Sequence, residues 1–309
     1  MLSKVANRVY WLARYMERAE DIAKLVNVYT NLMLDMPKGT DIVWYNLITI
    51  MGAEETFNEM YQDKTENSVM SFLISDAKNP CSLFGSLCFA RENARTTRDI
   101  LPTEAWEVVN ELYLLVKKEK DNLDTRSKRY NFLTSIIKGC QRLEGMLVSG
   151  LSRNHTYNFL QIGRLLERAD TTTRILDAGS MILSAGQKMK GTEGIVWMNL
   201  LKTMNAYQMY RQSVRRRVAS SDVIDFLLKD TQFPRAVEYC VDSVGYLASK
   251  LPNNDPVQVK TKAVKNLLES FSAKDSSMKN MHDLMDQVQI CLYDVDAAVN
   301  DTWFNAAIS

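Results

Sequence analysis

The chain has 309 residues, 46% of them apolar and 24% charged, with a net charge of +1. So even a balance gives no overall field for holding nucleic acid or an anionic membrane, and the length allows one large domain or two ordinary ones. No run of about 18 apolar residues is present, so no membrane span is expected, and the start MLSKVANRVYWLARYMERAE lacks the apolar segment and cleavage site of a secretory signal.

Glycine (12) and proline (6) are scarce, which favours helix over turn-rich strand architecture. In the first segment Val5, Val9, Leu12, Met16, Ala19, Ala23 and Val26 recur in steps of four and three, the stripe of a helix facing a core. That helix is predicted to run to about Asp35 and to stop near Pro37 and Gly39. Leu133, Ile136, Cys140, Leu143, Leu147 and Leu151 form a second stripe. Thr192 is a weak cap before Glu193, and Asp255 reads as an N-cap with Pro256 at the first helical position. Leu284, Val288, Cys291, Val295, Ala298 and Thr302 form a last stripe. No segment alternates with period two between hairpin turns, so the expected class is all-α without a sheet.

The two halves resemble each other. RYMERAEDIAKLV (Arg14–Val26) aligns with RLLERADTTTRIL (Arg164–Leu176) at an offset of 150. IVWYNL (Ile42–Leu47) aligns with IVWMNL (Ile195–Leu200) at 153, and FLISDAKNP (Phe72–Pro80) with FLLKDTQFP (Phe226–Pro234) at 154. Three ordered matches imply a duplication: one helical domain over 1–309, with repeat one at 1–154 and repeat two at 155–309. The expected architecture is a compact helical array with two pseudo-symmetric repeats of about 150 residues rather than a superhelix. Trp44 and Trp197 recur at equivalent positions and read as core anchors.

The repeated motif carries charge. Arg14, Glu17, Arg18 and Asp21 lie roughly opposite the core stripe, yet Trp11, Ile22, Leu25 and Tyr29 share that side. A helix apolar around most of its circumference lies between other helices, so these charges are at least partly buried and must be paired. Arg14 and Glu17, three residues apart, are partners within one helix. Arg164, Glu167, Arg168 and Asp170 repeat the pattern. Two readings stay open: an ion-pair network that fixes two central helices together, or a polar pocket whose arginines grip a carboxylate or phosphate. A third makes Glu17 or Glu167 a buried general base with a raised pKa.

Arg91, Glu92, Arg95 and Arg98 form a second cluster among small residues, either a salt-bridged helix face or an anion or partner site. Arg215, Arg216 and Arg217 point to different sides of a helix and read as a solvated run, and His155 reads as a capping-region residue. The five cysteines (Cys81, Cys88, Cys140, Cys240, Cys291) are odd in number without CxxC spacing. They fit reduced, mostly buried thiols of a cytoplasmic protein. With only His155 and His282 beside them, no metal is expected. No phosphate-binding glycine loop, HExxH, GxSxG or ExxH companion is present, so no cofactor or familiar catalytic set is expected either.

LSKVANRVYWLARYMERAED, RENAR (Arg91–Arg95), GRLLERAD (Gly163–Asp170) and DFLLKDTQFPRAV (Asp225–Val237) together resemble the alpha-E family, bacterial all-helical proteins with a recurring Glu-Arg motif. His155 and Tyr157 depart from the acidic residue and tryptophan expected at the entry to the second motif helix. The resemblance implies a neighbourhood of ATP-grasp ligase-like and transglutaminase-like protease partners. Peptide or amide-bond modification follows, with the helical protein in an accessory or unassigned role. Arginine clustering at Arg14, Arg18, Arg91, Arg95, Arg164 and Arg168 without a recognisable nucleophile or base adds the expectation of a non-enzymatic binding or accessory component, with an anionic peptide or phosphate as its ligand.

Overall fold

The computed structural model describes residues 1–35, 44–185, 193–273 and 278–305, and among them the secondary structure is helical throughout, with no strand. The first half holds α1 (Ser3–Asp35), α2 (Asn46–Ile50), α3 (Glu54–Met60), α4 (Glu66–Met70), α5 (Leu83–Arg95), α6 (Thr103–Glu119) and α7 (Arg126–Gly150). The second holds α8 (His155–Ala185), α9 (Glu193–Thr203), α10 (Tyr207–Val214), α11 (Ser220–Lys229), α12 (Val237–Ala248), α13 (Asp255–Ser270) and α14 (Met278–Val299). One π-helical turn (Ser71–Ser75) continues α4 and another (Asn300–Phe304) continues α14.

Three of the described helices, α4, α5 and α7, start on a side chain that satisfies a first-turn amide. Thr65, Ser82 and Thr125 accept from Ser68, Gly85 and Lys128. The Asp255 cap is off by one residue: α13 begins at Asp255 itself, after Asn254, and Pro256 falls in its first turn where a missing N–H costs nothing. The stop signals at Pro37 and Gly39 and the cap at Thr192 lie outside the described residues.

The two long helices α1 and α8 lie against each other at the centre. α1 is flanked by α5 and α7, with α6 between those two; α8 is flanked by α12 and α14, with α13 between them. Along α1 every residue from Ala19 to Val26 is buried, the signature of a helix wrapped on all sides. Gly163 lets α8 approach closely, because a Cβ there would sit 2.4 Å from the Tyr10 carbonyl oxygen.

The stripe Leu133, Ile136, Cys140, Leu143 and Leu147 is buried as expected, while its last member, Leu151, just past the end of α7, is only partly buried. Trp197 is fully buried and its indole N–H donates to Ser220 Oγ at 2.9 Å. Trp44 is only half-buried against Tyr29, so the two tryptophans do not share one environment. The aligned turns do share a bond pattern. Asp76 Oδ1 accepts from the amide of Lys78, and Asp230 Oδ1 from those of Gln232 and Phe233. No described helix is long and apolar enough to cross a membrane.

A reciprocal Glu-Arg clamp between the central helices

Residues 14, 17, 18 and 21 occupy adjacent turns of α1, and 164, 167 and 168 do the same on α8. Because α1 and α8 are in contact, the two motifs meet. Arg168 grips Glu17 with a bidentate fork, Nε to Oε1 at 2.8 Å and Nη2 to Oε2 at 3.0 Å. Arg18 grips Glu167 in return, Nε to Oε1 at 2.5 Å and Nη2 to Oε2 at 3.0 Å. Each glutamate thus takes the other motif's arginine. Glu17, Glu167 and Arg168 are buried, and Arg18 is only partly exposed.

A second arginine completes each pair. Arg14 Nε donates to Glu167 Oε2 at 2.8 Å, and Arg235 Nη2 to Glu17 Oε1 at 2.9 Å. These two carry the network outward, Arg14 to Asp296 at 2.6 Å and Arg235 to Asp21 at 2.9 Å. Tyr10 also donates its hydroxyl to Asp296. Four guanidinium groups (Arg14, Arg18, Arg168, Arg235) meet four carboxylates (Glu17, Asp21, Glu167, Asp296), so the network is neutral. Neutrality and bidentate geometry are what make a dry ionic cluster tolerable.

The intrahelical pair Arg14–Glu17 does not form. Arg14 reaches across to α8 and α14, because Glu17 is already enclosed by Arg168 and Arg235, and a planar fork bonds best to a carboxylate facing it. Arg164 also departs from its counterpart. It pairs with Glu144 of α7 at 2.6 Å and donates to Gln161, leaving its buried Nε without an acceptor. Burial, with Arg168 nearby, lowers its pKa. Asp170 stays on its own helix, paired with Arg174 at 2.9 Å.

Burial alone would raise the Glu17 carboxyl, but Arg168 and Arg235 outweigh it and hold the group far below the usual carboxylate range. Glu167 is likewise raised by burial, then pulled down to about 2 by Arg18 and Arg14. The general base with a raised pKa is therefore not what this geometry makes at either glutamate: all four oxygens are occupied. Beside Glu17 a cleft between α1, α7 and α8, lined by Leu12, Met16, Leu160 and Arg164, measures about 30 Å³. That is space for one water, not a substrate. Asp21 is the exception among the acids, pushed up by burial to about 6 against the pull of Arg235, with its Oδ2 buried and unpaired.

The second arginine cluster makes other contacts. Arg91 donates to Asn110 Oδ1 at 2.8 Å and lies 4.7 Å from the Tyr113 ring, and Arg98 lies 4.9 Å from Trp106, so both serve the α5–α6 contact. Glu92 and Arg95 form an exposed pair within α5. Arg215 ends α10 in the left-handed region, with φ at 55°, and Arg215, Arg216, Arg217 and His155 are exposed. Only Cys140 and Cys240 are buried; Cys81 is exposed and Cys88 and Cys291 are intermediate, so the expectation of mostly buried thiols fails at three positions. Asp177, His282 and Asp286, distant in sequence, come together at the surface with ligand atoms within 4.8 Å of one another.

Arg235, Asp296, Glu144 and Tyr10 belong to the site and were missed. Arg235 had a signal: it directly follows the aligned FLLKDTQFP segment. Asp296 is an acid beside the apolar stripe of α14, a weaker one. Nothing local marks Glu144 as a partner of Arg164.

An all-helical array whose two longest described helices exchange Glu-Arg pairs defines a class of protein by its internal clamp. The family model Alpha-E, described as a predicted alpha-helical domain with a conserved ER motif, matches residues 1–304, and the chain belongs to that family. It is similar to uncharacterised proteins of Mycobacterium bovis and of two Mycobacterium tuberculosis strains, 24% identical over 274 residues. The match covers 81% of this chain but 30% of each relative, so the chain spans about a third of the length of those proteins. No solved structure matches it.

Proposed function

We propose that the chain is a non-enzymatic binding or accessory component of a bacterial peptide or amide-bond modification system, working beside ATP-grasp ligase-like and transglutaminase-like protease partners. The observation that carries the non-enzymatic part is the saturation of Glu17 and Glu167 by arginines. The ER motif then acts as an internal clamp, and ligands or partners are met elsewhere on the surface. The length of the relatives fits a helical unit that operates joined to further segments. The duplication is supported by the order of contacts: α1, α5, α6 and α7 pack in a closed cycle, and so do α8, α12, α13 and α14. Each half thereby forms a four-helix group around one motif helix.

The test is affinity purification of the tagged chain from its native host at native expression level, with mass spectrometry of what is retained. Enrichment of a ligase-like or protease-like protein over an untagged control is expected. Recovery of neither, with the chain itself intact and abundant, would count against the accessory role. The catalytic alternative is tested by Glu17→Gln and Glu167→Gln: loss of a partner-system activity at unchanged melting temperature would favour it.

A further inference from the structure

About two helical turns beyond Glu20, where the C-terminal third of α1 passes the start of α7, lies a pocket of about 230 Å³. Its walls are Asn27, Thr30 and Asn31 of α1 and Arg126, Ser127, Arg129 and Tyr130 of α7. No carboxylate lines it, which argues against a metal cation. Arg129 is 7% exposed, and its Nη2 is bonded to Glu66 Oε1 at 2.5 Å. Its Nε is buried with no acceptor. A guanidinium has five donors in a fixed fork, and a buried one with an unfilled position carries a real cost. Glu66 offsets the charge of Arg129, and Arg126, exposed at the rim, supplies the positive charge of the lining that no acid among the described residues offsets.

The backbone adds to this. Thr125 caps α7 by accepting from Lys128 N, but Arg126 and Ser127, in the first turn, have no intrahelical acceptor for their amides. The N-terminal end of a 25-residue helix favours negative charge. Asn27 and Asn31 offer neutral amide donors from the opposite wall. The nearby acid Asp124 is not part of the lining and is paired with Lys128 at 2.9 Å.

We propose that this pocket binds a small oxyanion group, a phosphate or a carboxylate, between the Arg129 guanidinium, Arg126 and the first turn of α7. The site is separate from the ER clamp, and its existence does not depend on the accessory role. Its two chemical sources are distinguishable. Inorganic phosphate represents the first; N-acetyl-alanyl-alanine with a free carboxylate represents the second, and its C-terminal amide is the neutral control.

The full chain is titrated with each by calorimetry and by thermal denaturation, against sodium chloride of matched ionic strength. Saturable binding of phosphate, of the free-carboxylate peptide or of both is expected, with a melting temperature that rises with ligand concentration. The amide and chloride should give neither. Arg126→Gln should weaken binding roughly fivefold to tenfold. Ser127→Glu, which puts a carboxylate at the pocket, should abolish it. Both positions are exposed, so the ligand-free melting temperatures should stay near that of the unaltered chain. No saturable binding of either oxyanion, or binding that survives Ser127→Glu undiminished, overturns the proposal.

Discussion

Glu17 and Glu167 are almost completely withdrawn from water, and each is enclosed by two guanidinium groups. Removing one partner leaves the others buried and uncompensated, which costs far more than the pair gains over an apolar substitute. Glu17→Gln or Arg168→Ala should each lower stability by about 3–5 kcal/mol, read from urea unfolding. The pH dependence has two opposing parts. Glu17 and Glu167 have depressed folded values, so their stabilisation is present above the unfolded value and is lost as pH falls through the folded one, about 2 for Glu167. Asp21 is raised to about 6, so its folded form retains a proton that the unfolded chain gives up. Its contribution is complete below the unfolded value and is lost as pH rises through about 6. Asp21→Asn should therefore compare better with the unaltered chain at pH 7 than at pH 4, by about 1–3 kcal/mol. A difference between the two that does not vary with pH would contradict the assignment.

Helices α1 and α8 can exchange their arginines only because their backbones come close at Gly163. A methyl group there meets the Tyr10 carbonyl, which is backbone and cannot swing aside, so one helix must move. Gly163→Ala should cost about 1–3 kcal/mol despite improved helix propensity. Gly145→Ala provides the control: nothing lies within 4 Å of a Cβ at that helical position, and the change should be neutral or stabilising. Equal effects at the two glycines would mean that close approach is not what Gly163 provides.

Across the molecule, the clamp ties the halves together. Glu17, Arg18 and Asp21 lie in the first half, while Glu167, Arg168, Arg235 and Asp296 lie in the second. Either half alone would present a largely apolar central helix whose charges have no counterparts. Residues 1–154 expressed alone should fail to give a cooperative thermal transition by circular dichroism, and the full chain should unfold in a single one. A folded, soluble first half with its own sharp transition would show that the clamp is dispensable.

Helix periodicity, the absence of sheet and the twofold recurrence of the Glu-Arg motif were legible because each is a local property: side-chain spacing within one helix, or identity between two segments. Burial of the motif was legible too, from Trp11, Ile22, Leu25 and Tyr29 on its own side of α1. The pairing was not. Arg14 and Glu17 are good neighbours on an isolated helix, and only packing decided that both turn instead to α8, Arg14 to Glu167 and Glu17 to Arg168. Arg235 reaches Glu17 from 218 residues away, a separation over which no sequence period carries information. The chain by itself determined which groups would be buried and charged. Which acid met which base was decided by the rotation and approach of helices, because a bidentate bond requires a facing partner at under about 3 Å and spacing along one strand of sequence cannot specify that.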